Sequence, residues 1–187
     1  FLRIATASEN IEIIRKKAVE GIQNIYYNTN SLYGESGQEK FIKCQVISMC
    51  LDKLLRIVDS NPKSDKIMTD VIRGICDICR NDFENLDEQS VIKSLEIFLE
   101  VVKSNSKNNN MTTAAIEGIY NIYCSTSNIS NEQVPIKCLE TLSEIASFGL
   151  KNNNDEIVIN VLDSFSKIAS FGLKNNNDEI VIKVLDS

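Results

Sequence analysis

The chain has no histidine and no tryptophan among its 187 residues. Without histidine there is no ordinary general base near neutral pH. Ser–His and Cys–His nucleophile pairs and every histidine-containing metal site are also excluded. Proline occurs twice and glycine seven times, too rarely for a fold built on many tight turns, so long regular elements are expected. Uninterrupted apolar runs are only a few residues long, short of the ~20 apolar residues a membrane helix needs. No signal-type apolar stretch opens the chain. Cations are in the minority, 20 Lys and Arg against 26 Asp and Glu, and phosphate-backbone binding needs the opposite balance. No membrane insertion, no nucleic acid and no cofactor are therefore expected.

What is present is ordinary globular composition, 43% apolar and 25% charged, enough to bury a core. The six cysteines, Cys44, Cys50, Cys76, Cys79, Cys124 and Cys138, all fall inside helical patterns. That placement suits buried free thiols in a reducing compartment, so a cytoplasmic location is expected. Cys76-Asp-Ile-Cys79 is a single CxxC with no second pair and no βαβ pattern around it. Core packing is the preferred reading over a redox motif, or a zinc site completed by Cys44 or Cys50. The chain begins with Phe1 rather than Met, as a piece of a longer polypeptide would.

Internal repetition is the strongest signal. Residues 145–164 read IASFGLKNNNDEIVINVLDS and residues 168–187 repeat them, with Lys183 for Asn160. Such a copy points to recent duplication or engineering. A longer period lies upstream. The string from Ala18 to Tyr26 recurs from Val71 to Cys79 and from Ala115 to Tyr123, with Gly21, Gly74 and Gly118 at one register. Between these A segments lie B segments beginning at Leu51, Leu95 and Leu139, a period of about 44 residues. The polar stretch from Ser31 to Lys40, with Gly34 and Gly37, is expected to hold extra residues as a longer loop.

Each segment is amphipathic with a helical period. Val91, Ile92, Leu95, Phe98, Leu99 and Val102 share one face, and so do Ile157, Val158, Val161, Leu162, Phe165, Ile168 and Ala169. Period-two alternation is nowhere sustained, so no strand is expected. Eight helices are predicted, at about 7–28, 40–60, 64–80, 87–105, 111–126, 131–148, 154–171 and 178–187. Asp87 with Ser90, and Asn153–Glu156, supply helix-start chemistry. The Asn-rich stretches at 108–110, 152–154 and 175–177 suit caps and left-handed turns. Pro62 is placed in a loop and Pro135 in a first helical turn.

Two antiparallel helices per 44 residues, stacked side by side, resemble the armadillo/HEAT group of helical repeats over nearly the whole chain. The string Ala-x-x-Gly-Ile-x-Asn-Ile is similar to the third helix of an armadillo repeat, whose Asn faces a concave groove. The resemblance implies an all-α fold, a right-handed α-solenoid of about four helix pairs forming one domain over 1–187. It also implies a non-enzymatic scaffold for a protein or peptide partner. Peptide-binding members carry Trp shortly before the Asn; Glu20, Arg73 and Glu117 stand there instead.

The positions matching that Asn are Asn24, Asp77 and Asn121. They are candidates for hydrogen bonding a partner, against capping or plain solvation. Tyr26, Tyr27, Tyr120 and Tyr123 cluster on two A helices, and Tyr26 and Tyr123 are taken as interface candidates against the reading of a core edge. Asp52, Glu96, Glu140, Asp163 and Asp186 recur behind the B-segment leucines and suit a solvated, ion-paired face better than a site. The glycines inside helices call for close approach of neighbouring helices. No carboxylate pair, phosphate loop or nucleophile elbow carries catalytic chemistry. The alternative function is a structural spacer that self-assembles through its open repeat ends.

Overall fold

A computed structural model describes residues 12–32, 37–59, 65–126 and 133–174. These residues form seven α-helices and no strand: α1 (Glu12–Leu32), α2 (Gly37–Asp59), α3 (Asp65–Asn81), α4 (Glu88–Ser104), α5 (Asn109–Thr126), α6 (Gln133–Lys151) and α7 (Asp155–Lys174). A single 3-10 turn, Phe83–Asn85, joins α3 to α4. The expected eighth helix and Pro62 lie outside the described residues; Pro135 sits in the first turn of α6. The all-helical expectation is met among the described residues. The expected long loop is not. Ser31 and Leu32 continue α1, and α2 already begins at Gly37, so longer helices take up most of the extra sequence. Thr29 helps α1 onward: it is buried, and its hydroxyl bonds the Ile25 carbonyl at 2.7 Å.

The chain divides into two compact units, residues 1–94 and 95–187, where the sequence reading treats it as one domain. The division falls inside α4. In the first unit α1 packs on both α2 and α3, and α2 packs on α3. Ala18, Val19, Ile22 and Tyr26 recur at helical spacing and form the buried stripe of α1. It meets Ile47, Leu51 and Leu54 of α2 and Val71, Ile75 and Ile78 of α3, all fully buried. In the second unit α5, α6 and α7 are likewise mutually packed. Their core holds Met111, Ile119, Tyr123, Leu142, Ile145, Ile157, Val161 and Ile168.

Contacts at both ends of a helix pair fix its direction. α2 and α3, successive along the chain, run antiparallel. Leu54 of α2 lies against Gly74 of α3, while Lys43 and Cys44 near the start of α2 reach Asp82 and Asn85 just past the end of α3. Helices two apart run parallel. Gln23 of α1 bonds the Asp70 carbonyl of α3, and four residues on, Tyr27 bonds Asp77. In the second unit Asn109, Thr113 and Tyr120 of α5 meet Glu156, Asn160 and Lys167 of α7 in the same order.

The turns carry the chemistry their sequences suggest. Asp87 caps α4 by accepting from the Ser90 amide at 2.8 Å and the Ser90 hydroxyl at 2.6 Å. These bonds hold its carboxyl below the ordinary range. Asn108 caps α5 and Asn154 caps α7 through their side-chain oxygens. Between α6 and α7, Asn154 N–H donates to the Gly149 carbonyl at 2.9 Å and Asn153 N–H to the Leu150 carbonyl at 3.2 Å. With Asn153 at φ 50, this is a Schellman ending. Asn is the non-glycine residue that tolerates this backbone best. Asn153→Ala is therefore expected to cost about 1 kcal/mol, read as a lower urea midpoint, while Asn153→Gly leaves the midpoint level or higher.

Two glycines are required by close approach. A Cβ on Gly149 would lie 2.9 Å from Val158 Cγ2 and 3.1 Å from Ile157 Cγ2, where α7 folds back on α6. A Cβ on Gly74 would lie 3.0 Å from Leu54 Cδ1 and 3.1 Å from Gln23 Nε2. Gly74 thus opens the space through which the Gln23 amide reaches the Asp70 carbonyl at 3.1 Å.

Candidate interaction surface

The surface with the most organised polar chemistry in the first unit is the seam between α1 and α3. Tyr27 is 49% exposed, yet its hydroxyl is fixed, donating to Asp77 Oδ2 at 2.7 Å. That bond, and then partial burial, raise the Tyr27 hydroxyl above its usual pKa. Asp77 Oδ1 accepts from Arg80 Nη2 at 3.2 Å. Asn24 is exposed on α1, one helical turn before Tyr27. The seam therefore offers an amide, a phenol, a carboxylate and a guanidinium on two rigid helices.

Beneath it lies a buried network. Tyr26 Oη donates to Asp82 Oδ2 at 2.6 Å and approaches the Asp77 carbonyl at 3.3 Å. Asp82 is 4% exposed. Its Oδ1 accepts from Asn85 Nδ2 at 3.2 Å and lies 3.6 Å from Lys43 Nζ. The Cys44 thiol donates to Asn85 Oδ1. One carboxylate thus ties α1, α2 and the turn after α3 together, which holds the seam above it.

In the second unit the seam between α5 and α7 carries Asn160 Nδ2 donating to Thr113 Oγ1 at 3.1 Å, and Asn154 Nδ2 donating to the Ser106 carbonyl at 2.8 Å. Lys167 Nζ stands 5.9 Å from the Tyr120 ring centroid and pairs with Asp163 at 2.6 Å. A bond with Cys124, and then burial, push the Tyr120 hydroxyl up to about 12.

The candidates from sequence separate in the structure. Asn24 is exposed, Asn121 half-buried, and Asp77 half-buried and already bonded. Tyr26 and Tyr123 are corrected: at 2% and 1% exposure they are core residues and present nothing to a partner. Tyr123 is pushed up to about 12, chiefly by burial. Tyr26 continues the stripe of Ala18, Val19 and Ile22, a signal that was legible in the helical period. Tyr27, one residue on, takes the exposed place expected of Tyr26. Arg80 and Gln23 escaped sequence reasoning because nothing in their local pattern marks them.

Three of the acidic residues behind the B-segment leucines are paired at the surface, and Glu96 is exposed. Asp52 pairs with Arg56, Glu140 with Lys137 and Asp163 with Lys167; Asp186 lies outside the described residues. All six cysteines are free thiols. Cys79 is fully buried, donates weakly to Ser94 Oγ and is pushed up to about 12 by burial. A thiolate ligand or nucleophile needs the opposite shift. No group of metal-ligating residues assembles among the described residues, and no described helix is long and apolar enough to cross a membrane.

Comparison with protein-family models, with curated proteins and with solved structures finds no match to this chain.

Proposed function

We propose that the chain is a non-enzymatic interaction scaffold of armadillo/HEAT-like helical repeats, and that the seam between α1 and α3 receives a protein or peptide partner. The observation carrying this reading is the parallel seam, in which Asn24, Tyr27, Asp77 and Arg80 are presented over a buried support. Helices two apart lie side by side, cross-linked by hydrogen bonds at a separation of 47 residues in both units, as a stacked-pair solenoid requires. The absence of histidine and the raised thiol of Cys79 favour binding over catalysis. Tyr and Arg at the seam are the residue types that anchor protein interfaces.

Selection of displayed peptides on the full chain, followed by amide-shift mapping, tests the reading. Bound peptides are expected to shift residues 24, 27, 77 and 80. Tyr27→Ala is expected to weaken binding by about tenfold, near 1.4 kcal/mol. Peptides that map to another face, or that bind Tyr27→Ala as well as the parent, contradict it.

A further inference from the structure

Three cations stand in line on the outer face of α3. Lys66, Arg73 and Arg80 are spaced seven residues apart, so they share one face of the helix, about 10 Å from one to the next. All three are exposed. Neither Lys66 nor Arg73 has an ion pair or hydrogen bond from its side chain among the described residues. Asp70 and Asp77 flank the line on the side toward α1, both half-buried. Asp77 is engaged on both oxygens, by Tyr27 and by Arg80. Glu20, on the facing side of α1, is taken by Lys16 and Lys17. Folding of this kind of helix does not call for the line. α5 carries the related string with Gly118 in the register of Gly74, yet holds Asn110, Glu117 and Cys124 at the three matching positions.

We propose that the segment received at the seam between α1 and α3 is an acidic peptide, its carboxylates pairing with Lys66 and Arg73 beside Asn24 and Tyr27. This rests on the scaffold reading and names the chemistry of its partner. Charge complementarity carries it. The chain has a net charge of −6, yet at this seam the carboxylates of Asp77 and Glu20 are already engaged, and the charges left to offer are cationic. An exposed side chain with no partner in its own chain adds little to stability. A guanidinium in that position can take a carboxylate through two parallel N–H bonds. The span of about 10 Å between Lys66 and Arg73 is covered by about three residues of an extended peptide. Asn24 and Tyr27, exposed on α1, supply an amide and an aromatic face beside it. A basic segment would instead meet Lys66, Arg73 and Arg80 as like charges.

Labelled decaglutamate, decaglutamine and decalysine, titrated with the full chain and read by fluorescence anisotropy and amide shifts, test the proposal. Decaglutamate is expected to bind and to shift residues 24, 27, 66 and 73; the other two peptides should leave these residues unshifted. Raising NaCl from about 0.05 M to about 0.5 M should weaken the binding severalfold, because exposed charges are screened. Arg73→Glu is expected to weaken it by about tenfold or more and Arg73→Lys by less than about threefold, with the urea midpoint unchanged in both. Glu117→Gln, in the other unit, should leave it as it was. Decaglutamate that does not bind, that shifts another face, or that binds Arg73→Glu as well as the parent overturns the proposal. So does decaglutamine or decalysine that shifts the same four residues equally. Selected peptides that occupy the seam without carboxylates would leave the scaffold standing and overturn the acidic partner alone; selected peptides that map to another face would overturn both.

Discussion

Asp82→Ala is expected to lower stability by about 3 kcal/mol, because it removes the charged partner from a buried network. In a chain of this size that is roughly 6–12 °C in Tm. Asp82 is 4% exposed and holds Tyr26, Asn85 and Lys43 at once. Without it the Tyr26 hydroxyl loses its 2.6 Å acceptor in the core and keeps the longer 3.3 Å approach to the Asp77 carbonyl. Tyr26→Phe removes the 2.6 Å bond to Asp82 and, with it, the 3.3 Å approach to the Asp77 carbonyl, and is expected to cost about 2 kcal/mol, the range for hydrogen bonds to charged groups. The double variant should be less destabilised than the sum of the singles by about 1–2 kcal/mol, since both act through one contact. Urea unfolding of the four proteins checks this. Strict additivity would mean that the two side chains act separately.

The second large effect is at alkaline pH. Burial pushes the Cys79 thiol from 9.0 to about 12. A group whose folded pKa is raised contributes its full stability below the unfolded value and loses it as pH climbs through the folded value. Across pH 9 to 12 the native state is expected to lose on the order of 4 kcal/mol through Cys79. Tyr123, raised to about 12 by burial, adds a smaller loss above pH 10. Cys79→Ala removes the pH-dependent part, so its stability should fall less steeply between pH 9 and 12 than the parent's, even though it begins lower from the lost packing. Parallel slopes would show that Cys79 does not titrate on unfolding.

Local pattern was enough for the helices and most of their ends. The stripe of α1, the Asp87 and Asn154 caps and the left-handed Asn153 follow from residues within one or two turns of each other. The recurrence of Gly74 announced a close approach, and the structure identifies its cause as Leu54 and Gln23. Contacts made across dozens of residues were not legible. Nothing near Lys43, Asn85 or Tyr26 in sequence shows that they converge on Asp82, and nothing near Gln23 points to the Asp70 carbonyl 47 residues away. The Tyr26–Tyr27 pair shows the limit most clearly. The rings lie 5.2 Å apart, yet one faces the core and its neighbour the solvent. Composition treats the two alike, and only the helical phase separates them. The glycines and polar residues from Ser31 to Lys40 look like a loop, while burial of Thr29 and its bond to the Ile25 carbonyl favour continuation of α1.

The central claim is that helices two apart lie parallel and in register within each unit. Nuclear Overhauser contacts in the isotope-labelled full chain test it most directly. Gln23 should contact the Asp70 turn, and Tyr27 the Asp77 turn; Thr113 should contact Asn160, and Tyr120 should contact Lys167, the paired positions advancing together in both units. Contacts that advance on one helix while retreating on the other, or no contact between α1 and α3 or between α5 and α7, would contradict it.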